Sequence, residues 1–203
     1  SISGAETVTR CVNLILTGRL HCGKSTLVRR MLRQLAVDFM GVLCEPILCE
    51  KMVVGYGLRM VERAGLHVFA HVDIDSTRRF GKYGVDLAPF DRAADYILSC
   101  LPRRPRLFVI DEIGAIESAA SNYKSAVNGL LDSNIATLIV VQKRADYMQE
   151  IRKRHDVMLF DLDDHPLGEP MLTLLKEITN ANGCVDAERG CRDEVQHRHN
   201  LDE

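Results

Sequence analysis

LILTGRLHCGKSTL, residues 14–27, is the stretch on which the reading of the whole chain turns. An apolar run ends at Gly18, four residues intervene, and Gly23-Lys24-Ser25-Thr26 opens a segment with helical spacing. That is the phosphate-binding loop pattern G-x-x-x-x-G-K-[ST] in a strand-to-helix setting. Consecutive backbone N–H groups must curl around phosphate there, and Gly18 and Gly23 permit turns and close approaches that a Cβ would obstruct. Arg19, Leu20, His21 and Cys22 complete the cradle, although His21 stands where many such loops carry another glycine and would be strained at positive φ. Lys24 is expected to reach the β- and γ-phosphate oxygens as a catalytic cation. Ser25 is expected to ligate Mg²⁺, with Thr26 beside it on the phosphate and the helix dipole behind both.

Outward from this loop, strand and helix alternate. Residues 11–17 read as a first strand and 24–36 as a helix, with Leu27, Met31, Leu32 and Leu35 on one face and Arg29, Arg30 and Arg33 turned outward. Residues 40–75 differ. Short extended stretches broken by Pro46, Gly55, Gly57 and Gly65 predict a small β-hairpin insertion there instead of another βα unit. RRFGKYGVDLAPF (78–90) leads to a helix over 89–101, the basic connector PRRPR and the apolar LFVIDEIG (107–114). A helix over 118–131, a strand over 135–143, a helix over 144–154, a strand over 157–161 and a helix over 166–178 follow. This order predicts an α/β fold, a mainly parallel five-stranded sheet with helices on both faces, forming one domain over 1–180. Residues 181–203 are polar and expected to be a flexible tail.

The second chemical motif is the strand end Asp111-Glu112. Asp111 is expected to hold the Mg²⁺ shell, and Glu112 to orient or deprotonate the attacking water as the catalytic base. Transition-state charge calls for further cations, for which Arg19, Arg79, Lys82 and Lys143 are candidates, and Gln142 is a candidate sensor of the γ-phosphate or the water. An acidic strand end by itself is common; its position behind a phosphate loop makes it informative.

Composition narrows the partners. A formal charge of −2 over 203 residues offers no global attraction to nucleic acid or to an anionic membrane. No apolar run reaches the ~20 residues of a membrane span, and SISGAETVTR lacks the pattern of a secretory signal, so a cytoplasmic location is expected. Cys11, Cys22, Cys44, Cys49, Cys100, Cys184 and Cys191 are scattered and odd in number, which fits reduced thiols. In the tail, Cys184, Cys191, His197 and His199 invite a zinc reading, but their spacing matches none of the familiar patterns.

These motifs bring a family into view. The chain resembles the small P-loop nucleoside-triphosphatases found in thermophiles and in animals, which typically show TGRPGxGKST, a GFxTEE-type segment, RVGKYGVDL and DEIGKME. Here TGRLHCGKST from Thr17, GVLCEP from Gly41, RFGKYGVDL from Arg79 and DEIGAIE from Asp111 stand in their place. The likeness runs over about residues 11–162. It departs at Leu20-His21, at Pro46, at Ala115, where the family has lysine, and at DDHPLGEP (163–170), where the family has an Asn-Arg dipeptide.

The resemblance implies a P-loop NTPase three-layer sandwich and Mg²⁺-dependent hydrolysis of ATP, GTP and other nucleoside triphosphates with loose base preference. It implies Gly18, Gly23, Lys24, Ser25 and Thr26 on phosphate and metal, Asp111 on metal and Glu112 as base, with Lys82 and Tyr83 as members of a motif. Two alternatives stay open: a nucleotide or small-molecule kinase using the same loop, and a nucleotide-dependent switch or adaptor with a protein partner. A monomer or small homo-oligomer is expected in each case.

Overall fold

The structure, a computed structural model, describes residues 13–19, 22–164 and 170–180. Leu20, His21 and the candidate ligands Cys184, Cys191, His197 and His199 lie outside the described residues. Asn13–Thr17 forms β1, buried at all five positions, as a strand covered on both faces must be. Its side chains alternate between two cores. Leu14 and Leu16 pack with Val28, Met31, Leu138, Val140 and Leu175, while Ile15 packs with Phe90, Ile97, Tyr123, Val127 and Ile139 on the other side.

After the loop, helix α1 (Lys24–Leu35) buries Val28 and Met31 and leaves Arg29, Arg30 and Arg33 exposed. The remaining strands are β2 (Met40–Cys49), β3 (Met52–Met60), β4 (His67–His71), β5 (Arg79–Phe80), β6 (Tyr83–Val85), β7 (Phe108–Ile113), β8 (Thr137–Val141) and β9 (Val157–Asp161). The remaining helices are α2 (Ala88–Cys100), α3 (Ala115–Ser118), α4 (Ser121–Leu131), α5 (Tyr147–Ile151) and, over 170–180, α6. Helices α2, α4 and α5 contribute to one core, and α1 and α6 to the other, giving three layers.

All nine described strands belong to one sheet, in the order β5-β6-β4-β3-β2-β7-β8-β1-β9. The strands β2, β7, β8, β1 and β9 run parallel, so the mainly parallel five-stranded sheet expected from the sequence is present as part of a larger, mixed sheet. The hairpin region corrects that expectation in one respect: it extends the same sheet, and its first strand is a member of the parallel set. Met40–Leu43 pair with Phe108–Asp111 of β7, while Val42–Cys49 also pair antiparallel with β3. The strand serves both partners because they lie on its two opposite edges, and its ten residues carry the β3 pairing on past the end of β7. Close approach at the junction needs a glycine, since a Cβ on Gly41 would stand 2.4 Å from the Val109 carbonyl oxygen.

Two further differences are local. The helix expected over 118–131 is α4, which starts at Ser121; the one-turn α3 (Ala115–Ser118) precedes it, and the extended backbone of Ala120 separates the two. RRFGKYG, placed by the sequence only as a lead into the helix over 89–101, forms the hairpin β5–β6, in which Phe80 faces Tyr83 across Gly81-Lys82 and Gly81 takes φ +57°.

Candidate active site

The loop begins where β1 ends. Gly18 has φ +149°, and a Cβ there would lie 2.8 Å from Cys22 Sγ and 3.3 Å from Leu162 Cβ. The Cys22 N–H donates to the Arg19 carbonyl at 3.4 Å, and Gly23, at φ +92°, turns the chain into α1. Lys24, only 4% exposed, donates from Nζ to the carbonyls of Arg19 (3.0 Å) and Gly18 (3.3 Å). The loop thereby folds its own ammonium group inward.

The acidic strand end meets the loop across a sequence separation of 86 residues: Ser25 Oγ donates to Asp111 Oδ1 at 2.9 Å. One step along, Glu112 Oε2 lies 4.0 Å from Lys24 Nζ. Asp111 pairs with Val140 and Ile113 with Val141, so Glu112 is the extra residue of a bulge, the device by which a strand end re-aims a side chain. Gln142, just past β8, donates from Nε2 to Glu112 Oε1. Gly114 leaves room for that arrangement, since a Cβ on it would come 2.7 Å from the Gln142 amide. The strand β8 stands between β1 and β7, which separates the loop strand from the acidic strand by one position.

Lys24, Ser25, Thr26, Asp111, Glu112 and Gln142 all line one cavity of about 510 Å³. The opposite wall comes from the antiparallel wing and from α3: Tyr56, Phe69, Phe80, Ile116 and Glu117. Other candidates stand elsewhere. Arg19 is 82% exposed at its side chain, 3.7 Å from Asp163, and its N–H reaches the same carboxylate at 3.3 Å. Lys143 binds Asp161 and Asp163 at 2.7 and 2.9 Å. Arg79 donates to the Lys82 carbonyl at 2.9 Å, and Lys82 Nζ sits 5.3 Å from the Tyr83 ring centroid on the wing hairpin, next to Phe80 but not among the residues of the cavity wall.

Burial dominates the electrostatics. It pushes the Asp111 carboxyl up to about 6, with the Glu112 charge adding and the Ser25 hydrogen bond, Arg29 and Lys24 opposing. The Cys44 thiol is raised well above its ordinary value, first by burial and then by Glu117, Glu112 and Asp111. The chain's own oxygen donors at Ser25 and Asp111 form a hard, sparse set suited to Mg²⁺, which keeps waters and phosphate oxygens in its shell. Among the described residues no group of three or more His, Cys, Asp or Glu side chains forms an all-protein metal cage.

A family described as NTPase matches residues 13–169. The chain belongs to that family. It is 26% identical over 169 residues to the nucleoside-triphosphatase THEP1 of Thermotoga sp. (strain RQ2), covering 81% of this chain and 96% of the relative. The relative of the same name from Methanosarcina acetivorans is 30% identical over 160 residues, covering 74% and 88%. The crystal structure of THEP1 from Aquifex aeolicus superimposes with a TM-score of 0.68 at 24% identity, over 81% of this chain and 99% of that one. The resemblance read from the motifs is therefore borne out at the level of family and fold.

Glu117 was not singled out in the sequence reading. It is 6% exposed, and its Oε2 accepts the Gly114 N–H at 2.9 Å. A signal was present: glutamate three residues after the residue that opens a helix is the capping-box arrangement. Burial pushes its carboxyl up to about 7, with Glu112 adding and its own and the Gly114 N–H groups opposing. A raised folded-state pKa means that the folded chain binds the extra proton, so stability is full below the ordinary value near 4.5 and declines as pH rises through about 7. Glu117→Gln keeps an acceptor for Gly114 and removes this dependence. Urea unfolding at pH 5 and pH 8 should show the wild type losing about 2.5 kcal/mol more than the variant over that interval. Equal losses in the two proteins would rule out a buried, proton-binding Glu117.

Proposed function

We propose that the chain is a Mg²⁺-dependent nucleoside-triphosphatase that cleaves the γ-phosphate of ATP, GTP and other nucleoside triphosphates, with broad base specificity. The observation that carries this reading is the meeting of loop and acidic strand end: Ser25 Oγ 2.9 Å from Asp111 Oδ1, with Glu112 4.0 Å from Lys24. Family membership and relatives named nucleoside-triphosphatase support it.

In this reading the amides of residues 18–26 and the Lys24 ammonium bind the β- and γ-phosphates. Ser25 and Asp111 would hold Mg²⁺, which when bound supplies positive charge to the phosphate oxygens. Glu112, steadied by Gln142, takes the proton from a water aligned with the γ-phosphorus. The new O–P bond forms as the bond to the β–γ bridging oxygen breaks, and that oxygen leaves on the diphosphate. Arg19, Leu20, His21 and Cys22 complete the cradle, and Lys82 adds positive charge from the wing hairpin. A cytoplasmic location and a monomer or small homo-oligomer belong to the same proposal. In the described residues no helix is long and apolar enough to cross a membrane.

Incubation with ATP, GTP, CTP and UTP in Mg²⁺ tests the reaction. Diphosphate and phosphate should appear in equal amounts, fall to background on chelation with EDTA and return when Mg²⁺ is restored. Phosphate release that survives chelation, or release of pyrophosphate, would rule the reading out.

A further inference from the structure

The cavity is larger, and more apolar on one side, than the attack of a water molecule requires. Its parallel-sheet side holds Lys24, Ser25, Asp111, Glu112 and Gln142. Its wing side presents Cys44, Pro46, Tyr56, Phe69, Phe80 and Ile116. Tyr56 and Phe69 are held by neighbouring rings before any ligand arrives. Tyr56 stacks on Phe69 at 6.5 Å and 25° and meets Tyr83 edge-on at 5.6 Å, while Phe69 is backed by Phe90 at 4.9 Å. Phe80 is 43% exposed, on the outermost strand of the wing.

A water nucleophile uses none of these surfaces, whereas a cavity of about 510 Å³, shared between the phosphate end and the wing side, with mostly apolar walls and a few convergent polar groups, is the scale of a small-molecule site. Aromatic faces held in place suit a planar ring. Charge narrows the ligand further. Asp111, Glu112 and Glu117 line the same space, so a second anion beside the base meets like charge, and among the described residues Arg29 is the one lining Lys or Arg besides Lys24.

We infer that the wing side of this cavity is a second-substrate subsite for a neutral, ring-bearing alcohol of nucleoside size, which accepts the γ-phosphoryl group in place of water. The inference rests on the proposed placement of the γ-phosphate between Lys24 and Glu112. The acceptor hydroxyl gives its proton to Glu112 and its oxygen bonds to the γ-phosphorus. The bond from that phosphorus to the β–γ bridging oxygen breaks, and the electron pair leaves on the diphosphate. The products are a phosphate monoester and a nucleoside diphosphate.

The full chain, incubated with Mg²⁺ and ATP and with a millimolar panel of ribonucleosides, deoxyribonucleosides and benzyl alcohol, gives a direct readout. Ester is measured by mass spectrometry and free phosphate in parallel, and ligand contact by saturation-transfer NMR. At least one ring alcohol should form ester about tenfold faster than phosphate is released. Phe80→Ala, on the exposed rim, and Tyr56→Leu should each cut ester formation by about tenfold while phosphate release without acceptor stays within about twofold. Steady phosphate release with no ester and no saturation transfer to any panel member overturns the subsite and leaves the hydrolase reading standing. Ester formation that neither substitution weakens overturns the assignment to the wing wall. Absence of both phosphate and ester overturns the phosphoryl-transfer reading itself, and the acceptor role with it.

Discussion

Glu112→Gln is expected to bind Mg²⁺-ATP at least as tightly as the wild type and to release phosphate about 10²–10⁴-fold more slowly. The substitution is conservative in shape. Glutamine keeps an oxygen for the Gln142 amide, so the bulge that aims the side chain stays in place. What disappears is the proton acceptor and one negative charge 4.0 Å from the Lys24 ammonium. Losing that charge relieves repulsion of a bound triphosphate, which is why affinity should hold or rise while turnover collapses. Calorimetry and a phosphate-sensor assay separate the two effects. Turnover within about threefold of wild type, against the expectation for general-base loss, would sink the assignment of Glu112 as base.

The second large effect concerns Asp111, where function and stability should move in opposite directions. The carboxylate is 3% exposed, and its pKa is pushed up to about 6 from 3.8, with burial the leading cause. Because the folded-state value is raised, the proton-linked contribution is complete below 3.8 and lost as pH climbs through about 6. Asp111→Asn presents the same outline, still accepts the Ser25 hydroxyl and has no charge to desolvate. In metal-free buffer its urea midpoint should match the wild type near pH 4 and exceed it at pH 8 by an amount worth about 2–3 kcal/mol. In the proposed reaction the same variant should lose turnover by about 10³-fold, because a neutral amide holds Mg²⁺ poorly. Added Mg²⁺ should narrow the stability gap by stabilising only the wild type. A variant that is less stable than the wild type at pH 8 would show that the buried charge is better compensated than the geometry indicates.

Much of this was legible in the sequence because some patterns carry their own physics. The stretch from Leu14 to Thr26 joined a doubly covered strand to an anion-binding helix start, and the structure has Asn13–Thr17 wholly buried and Lys24 opening α1. The meeting of Ser25 with Asp111 at 2.9 Å was legible too, since a hydroxyl and a carboxylate expected to serve one cation must converge however far apart they lie in the chain. The wing was harder. Periodicity shows that residues 40–49 are extended but not which neighbour they hydrogen-bond to, and β2 has two, one of them through the distant pairing of Leu43 with Asp111. The aromatic wall escaped for the same reason. Tyr56, Phe69 and Phe80 sit on three different strands, and only the sheet order brings them to one cavity.

The strand β2 has a mechanical consequence. One ribbon of backbone is laced to β7 over its first residues and to β3 beyond them, so the polar jaw of the cavity and its aromatic jaw hang from a common beam. Swinging one jaw against the other would tear amide pairs out of a continuous ladder. For the proposed substrates the cleft is thus a calliper set to a fixed gauge, which sorts by thickness and outline, and not a hinged door that closes on whatever has entered.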